Sequence, residues 1–349
     1  MIELRSDTFT LPTPEMLAAI TAAELGDDVY GEDPTVRRLE RAAADRLGKE
    51  AALLVPSGTM ANLCALLAHC PRGSKVLVGD ETDIYIYEAG GASVCGGIVY
   101  EPIATQPDGR LRLEDLEAAF PVDPEDPQLA PPALLCLENP HNRCGGAVLP
   151  LSYLRDVQAL ARARRIPVHM DGARIFNAAV ALGVGADQIA AHADSIQLCL
   201  SKGLSAPIGS LVAGTAGFVA AARRIRKMLG GGMRQAGIIA AAGLVALEQM
   251  VDRLADDHRN AQRLARGLQN IPGIAVLTDP VPTNIVFFRV TEPRLTWQAF
   301  VAAAAGRGLQ VAELGHGRIR AVTHRGVTER DVDAAIAIVA DVLREPEHR

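Results

Sequence analysis

Two stretches decide the fold: residues 168–174, Val168-His169-Met170-Asp171-Gly172-Ala173-Arg174, and residues 200–203, Leu200-Ser201-Lys202-Gly203. Each ends an apolar run abruptly in polar, chemically active side chains, as a buried strand does where it leaves a sheet. In an α/β protein, residues just past the carboxyl ends of strands line the ligand crevice. The first stretch delivers Asp171 there and the second delivers Lys202. Other apolar runs extend the pattern: 51–55, 75–78, 133–137, 166–170, 195–200 and 210–213 read as strands. Helical patterns fall between several of them. Residues 34–47 place Val36, Leu39, Ala43 and Leu47 on one face behind a first-turn proline, and residues 151–164 form another helix. Strands alternating with helices predict an α/β domain with a mainly parallel sheet covered on both faces.

Beyond this the chain changes character. Residues 121–132 carry five prolines and three acids and read as an exposed loop. From about 235 to 268 the pattern is long and helical, predicting a bridge between two lobes. Strands at 284–290 and 318–322 with helices at 296–305 and 328–343 follow, the content of a small α+β domain. The expected division is a large domain with an N-terminal arm over 1–250 and a small C-terminal domain over 251–349.

Composition bounds the class. At 349 residues, with 49% hydrophobic and 22% charged residues, the chain suits a soluble two-domain protein. Aromatics make up only 4%, so Ala, Val, Leu and Ile must build the interior. A net charge of −6 without a basic cluster argues against a nucleic-acid partner. The most basic run, Arg223-Arg224-Ile225-Arg226-Lys227, reads as a solvated or interface face of a helix. No signal-peptide pattern and no bilayer-length apolar run occur, so no membrane role is expected. Six cysteines without a C-x-x-C pair read as free thiols in a reducing cytoplasm, and no metal site is expected.

The acid and lysine at the strand ends suit pyridoxal 5′-phosphate (PLP). A lysine amine forms a Schiff base with its aldehyde, and a carboxylate keeps its pyridine nitrogen protonated. An ordinary strand-end salt bridge is the other reading, and these two residues leave both open. Pro56-Ser57-Gly58-Thr59-Met60-Ala61-Asn62 joins a strand to a helix and offers hydroxyls, a close-approach glycine and free N–H groups, as a phosphate site requires. Routine helix capping by Ser57 and Thr59 reads the same way.

Longer stretches carry a resemblance. Arg5-Ser6-Asp7-Thr8, residues 26–35 (GDDVYGEDPT), 137–142 (LENPHN), 170–177 (MDGARIFN), 200–207 (LSKGLSAP) and 228–235 (MLGGGMRQ) resemble the low-specificity L-threonine aldolases, in order from residue 3 to about 328. The resemblance implies the fold-type I, aspartate-aminotransferase-like architecture and a homotetramer built as a dimer of dimers, with sites shared between subunits. It implies PLP as cofactor, with Lys202 on the aldehyde, Asp171 on the pyridine nitrogen and Ser57, Gly58 and Thr59 on the phosphate. Arg174 would lie between the cofactor 3-hydroxyl and the substrate carboxylate, and Ser6 and Arg320 would bind that carboxylate. A planar guanidinium is a natural bidentate partner for it. Tyr30 and Arg234 would reach the site across the dimer interface; a packed turn aromatic is the other reading of Tyr30.

The implied activity is a lyase reaction, retro-aldol cleavage of L-threonine, L-allo-threonine and other β-hydroxy-α-amino acids to glycine and an aldehyde. A PLP-dependent β-eliminating lyase or racemase on the same fold is the alternative. His141 is the implied base for the β-hydroxyl proton, acting directly or through water, with an ordinary pKa suited to neutral pH. One position departs from the family: Asp83, in Gly79-Asp80-Glu81-Thr82-Asp83, stands where a histidine usually lies over the cofactor ring. A carboxylate offers no aromatic face, and an apolar ring disfavours its charged form. Asp83 either joins proton handling, or reshapes the pocket, or only hydrogen-bonds a neighbour.

Overall fold

The computed structural model describes residues 1–344; residues 345–349 of the expected small domain lie outside the described residues. After a short strand β1 (Ile2–Glu3), seven strands build the central sheet: β2 (Ala51–Val55), β3 (Lys75–Gly79), β4 (Val99–Ile103), β5 (Pro132–Glu138), β6 (Val168–Asp171), β7 (Ser195–Cys199) and β8 (Ser210–Gly214). Their spatial order is β2-β8-β7-β6-β5-β3-β4. All neighbours run parallel except β8, which is antiparallel to both β7 and β2. The sheet is the mainly parallel one the sequence predicts. β4 escapes the sequence pattern because it is an edge strand, half exposed and carrying Pro102.

Helices form where capping and periodicity agree. The helix Pro34–Leu47 has Asp33 accepting from the Thr35 and Val36 amides, each at 3.0 Å, and ends at Gly48 with φ +60°. Its Val36, Leu39, Ala43 and Leu47 enter the largest core, with Leu135, Leu137, Val168, Met170, Ile196 and Leu198 from alternate positions of the central strands. The other face of the same strands turns polar on β6 and β7 and at the carboxyl end of β5. Cross-strand register aligns Glu138 with Asp171 and Asp171 with Gln197; one pleat back it aligns His169 with Ser195. The helix Gly58–His69 covers this polar face.

The expected long helix over 235–268 is two helices, Gly237–Gln249 and Leu254–Gln269, with a turn between. The first is buried on most sides, whereas the second is amphipathic and packs Ala261, Leu264, Ala265 and Leu268 into a second core. Two different environments demand a change of direction that no Gly or Pro announces, and packing overrides propensity. The second core surrounds an antiparallel sheet of β9 (Ile274–Val276), β10 (Ile285–Val290), β12 (Ala312–Glu313) and β13 (Ile319–Val322), ordered β12-β13-β10-β9. β11 (Leu309–Gln310) pairs in parallel with β1, and Leu4 is buried in this second core.

The basic run at 223–227 is not only a solvated face. Arg226 is buried, donates to the Leu54 carbonyl at 2.6 Å and pairs with Asp28 at 2.7 Å, pinning the turn that carries Tyr30.

Candidate active site

Asp171 ends β6 and Lys202 lies in the loop after β7, so both side chains issue from the carboxyl edge of the sheet. Asp171 is buried and fully engaged. Asn62 donates to its Oδ2 at 2.8 Å, the Ala173 amide to its Oδ1 at 3.0 Å, and the Gln197 side chain also donates to Oδ1. Burial pushes the Asp171 carboxyl up; the Lys202 charge pulls it down and Asp83 adds to the rise. Lys202 is therefore within electrostatic reach of Asp171, as it is of Asp7 and Glu88.

The helix Gly58–His69 points its N-terminus at the same edge. Ser57 caps it, accepting from the Met60 amide at 3.2 Å, which leaves the hydroxyl hydrogen free to donate. Ser57 and Thr59 are exposed. A Cβ at Gly58 would stand 2.8 Å from Cys199 Sγ, so only glycine lets this turn lie against β7. Gly231 lies against Met60 of the same helix's first turn.

A second group gathers at the end of β5. Glu138 is buried and accepts from the amides of Asp83 and Asn142, each at 2.7 Å. Burial, then the neighbouring Asp83 and Asp171, pushes its carboxyl well up. Asn142 donates to Asp83 at 3.1 Å and accepts from Arg320 at 2.7 Å, linking the three in a row. Arg320 also donates to the Arg5 carbonyl at 3.0 Å, while its buried Nε has no partner. Burial, with Arg174 nearby, lowers its guanidinium to about 10. His141 is 1% exposed; neither ring nitrogen has a hydrogen-bond partner, although Nδ1 faces Glu138 Oε1 at 3.9 Å. Burial holds its pKa down at about 4, so the ring is neutral near pH 7 and a weaker base than an ordinary histidine. Gly109, at φ +80°, lies against its Cβ.

Arg174 donates from Nε and Nη2 to the two oxygens of Asp7. Ser6 is buried and accepts from the Thr8 amide and hydroxyl at 3.2 and 2.9 Å. Among the described residues Tyr30 and Arg234 make no hydrogen bond to this cluster, and Arg234 is tied to the turn that carries Tyr30: the Asp28 amide donates to the Arg234 carbonyl at 2.9 Å, and Arg234 pairs with Asp27 at 3.0 Å. Tyr30 is 75% exposed, so it is not packed within its own chain.

The structure thus brings His141, Arg174 and Arg320 each into electrostatic reach of Asp83 and adds side chains the motifs did not single out. Asp7, Asn62, Glu88, Glu138, Asn142 and Gln197 are all buried or nearly so around Asp171 and Asp83. Polar residues alternating along β6 and β7 were the available signal for Gln197. Nothing local marks Asn62.

Comparison with known proteins gives consistent matches. The model of the β-eliminating lyase family matches residues 3–293. The chain is 44% identical over 338 residues to a probable low-specificity L-threonine aldolase 2 of Arabidopsis thaliana, covering 96% of this chain and 95% of that one. It is 45% identical over 335 residues to the low specificity L-threonine aldolase of Escherichia coli (strain K12), covering 95% and 96%. Among solved structures, a threonine aldolase of Leishmania major superposes with a TM-score of 0.81 at 20% identity, covering 98% of this chain and all of that one (100%). At that identity the likeness is one of fold.

Proposed function

The chain belongs to the β-eliminating lyase family and, within it, to the low-specificity L-threonine aldolases, and we propose that it cleaves β-hydroxy-α-amino acids, L-threonine and L-allo-threonine among them, to glycine and an aldehyde with PLP as cofactor. The observation that carries this reading is the buried, triply hydrogen-bonded Asp171 at a strand end with Lys202 in electrostatic reach.

The residues present fit PLP and an amino-acid substrate. Gly58 lets the N-terminus of its helix lie close against β7 at the carboxyl edge, and the buried Nε of Arg320 and ring nitrogens of His141, which have no hydrogen-bond partner, call for polar ligands. Lys202 would hold the aldehyde, Asp171 the pyridine nitrogen, and Ser57, Gly58 and Thr59 the phosphate. Arg234 would hold the cofactor, and Tyr30 the substrate, in a neighbouring subunit's site. PLP, when bound, supplies an electron-poor ring that accepts the electron pair of the breaking Cα–Cβ bond.

The chain's own side chains do the rest. Arg320 and Ser6, with Arg174 alongside, orient the substrate carboxylate, which sets the bond that breaks. The neutral His141 takes the β-hydroxyl proton, directly or through one water, as the aldehyde forms. Return of a proton to Cα gives glycine. Asp83 acts on the pocket through Asn142, which passes its position to Arg320. The assay that tests the reading supplies L-threonine, L-allo-threonine and their D isomers. Glycine plus acetaldehyde is the expected product pair; a keto acid with ammonia, or an inverted Cα, overturns it.

A homotetramer built as a dimer of dimers fits the exposed Tyr30 and Arg234, which have no role within their own chain's cluster. A cytoplasmic setting fits the free cysteines, of which Cys64, Cys70, Cys136 and Cys199 are buried. Among the described residues no helix is long and apolar enough to cross a membrane. A domain division near residue 250 fits the change of core between Leu254, which still belongs to the first, and Ala261, which belongs to the second, with Leu4 of the arm joining the second.

A further inference from the structure

Asn62 touches two carboxyls at once. Its amide nitrogen donates to Asp171 Oδ2 at 2.8 Å and to Glu88 Oε1 at 2.7 Å, which commits both of its hydrogens. The amide oxygen must then face the other way, where His169 Nε2 stands 3.0 Å off. An amide oxygen only accepts, so Nε2 carries a hydrogen. His169 is fully buried, and burial drives its ring down to about 3, so the ring is neutral and Nδ1 is an acceptor. The Ser195 hydroxyl, 2.8 Å away, donates to Nδ1 and in turn accepts from His69 Nε2, also at 2.8 Å. The His69 ring is stacked on Phe218 with centroids 4.7 Å apart. Each donor from His69 to Asn62 therefore has a single direction, and the last one ends on Asp171. Of these four side chains only Asn62 entered the site described above; His69, Ser195 and His169 have had no part in it.

We infer that the buried chain His69–Ser195–His169–Asn62 is a positioning device for Asp171, which keeps the Asn62 amide turned so that the carboxylate stays aimed at the pyridine end of PLP. The physical reason lies in the amide oxygen. Deprived of the His169 hydrogen it becomes a buried acceptor without a donor, and the side chain gains by rotating away from Asp171. Asp171 would then keep only Gln197 and the Ala173 amide, and its oxygens would be free to turn. His169 and Ser195 act through Asn62 and touch no reacting atom, so they are positioning residues. The inference rests on the PLP assignment proposed above.

The test measures the PLP dissociation constant and the absorption spectrum of the bound cofactor in four holoproteins: wild type, His169→Leu, His169→Gln and Ser195→Ala. Leucine keeps bulk without a donor, whereas glutamine keeps a donor near the position of Nε2. The expected result is PLP held at least about tenfold more weakly by His169→Leu, with a displaced absorption band, a smaller change of the same sign in Ser195→Ala, and near-wild-type behaviour in His169→Gln. Unchanged affinity and spectrum in His169→Leu, or a His169→Gln variant impaired as much as His169→Leu, overturns the inference. Should His169→Leu fail to fold, Ser195→Ala decides, and an unchanged cofactor affinity and spectrum there overturns it. A wild type that retains no PLP would instead refute the cofactor assignment, and this inference with it.

Discussion

Arg174 holds Asp7 at two points, Nε to Oδ2 at 2.8 Å and Nη2 to Oδ1 at 2.7 Å, with both side chains buried. Burial alone would raise the Asp7 carboxyl, but the Arg174 charge and hydrogen bonds outweigh it and hold it well below the usual carboxylate range. Stability from this pair is present above the ordinary carboxylate pKa and is lost only as pH falls far beneath it. Asp7→Leu strands the guanidinium without its counter-ion and should cost about 3–5 kcal/mol. Urea unfolding of the cofactor-free protein measures this; an unmoved midpoint would show that the pair contributes nothing.

Lys202→Ala should remove all turnover and the borohydride-trappable link to the cofactor, because Lys202 is the lysine in electrostatic reach of Asp171. Peptide mapping of the reduced holoprotein checks the site. Label recovered on Lys49, whose Nζ is bonded to the Ala190 and Ala193 carbonyls, or on Lys75 would defeat the assignment.

Asp83 and His141 should separate cleanly. His141→Ala should lower kcat by about 10²-fold or more, the usual range for a lost general base. Asp83→Asn keeps a side-chain oxygen facing the Asn142 amide and should change KM, through Arg320, more than kcat. If Asp83→Asn instead loses kcat by the larger factor together with a limb of the pH–rate profile, Asp83 is the proton carrier.

Gly58→Ala places a methyl 2.8 Å from Cys199 Sγ and should weaken PLP retention by prising the helix from β7. The defect should shrink in a Cys199→Ala background, since the two atoms compete for one space. Equilibrium dialysis of PLP on the four proteins of the cycle reads the coupling; strict additivity would refute the steric account.

His258 accepts from Asn177 at 3.1 Å, and burial lowers its pKa to about 4. The folded value lies below the unfolded one, so the unfolded chain binds more protons and stability falls as pH drops from the ordinary histidine pKa toward 4. Between pH 7 and pH 5 the wild type should lose about 1–2 kcal/mol more than His258→Gln does. Paired urea titrations at the two pH values provide the difference, and equal losses would contradict it.

The sequence speaks clearly where chemistry is local. β5, β6 and β7 are buried on both faces, so their apolar runs stand out, and the polar residues that end them mark the site. Asp171 and Lys202 were legible for that reason. Asn62 was not, because its partners Glu88 and Asp171 lie 26 and 109 residues away and the residue itself looks like any polar position on a helix. β11 and β12 are two residues each, too short to show a period. The weakened basicity of His141 was equally hidden, because a loop histidine carries no sign that burial will lower its pKa.

The N-terminal arm is stitched to late parts of the chain. Ile2 and Leu4 donate to the carbonyls of Gly308 and Gln310, Val322 donates back to Leu4, Arg320 reaches the Arg5 carbonyl, and Thr10 bonds the carbonyl of Lys202. During synthesis this segment leaves the ribosome long before its neighbours exist. The central sheet closes with β8, more than a hundred residues before Val322 is made. Leu4 and the open edge of β1 must therefore wait for these partners until well after the strands of the central sheet have been made. A nascent chain stalled ahead of residue 320 lacks the seam that joins arm, sheet and small domain, and with it the Arg320 bonds to Asn142 and to the Arg5 carbonyl that shape the site.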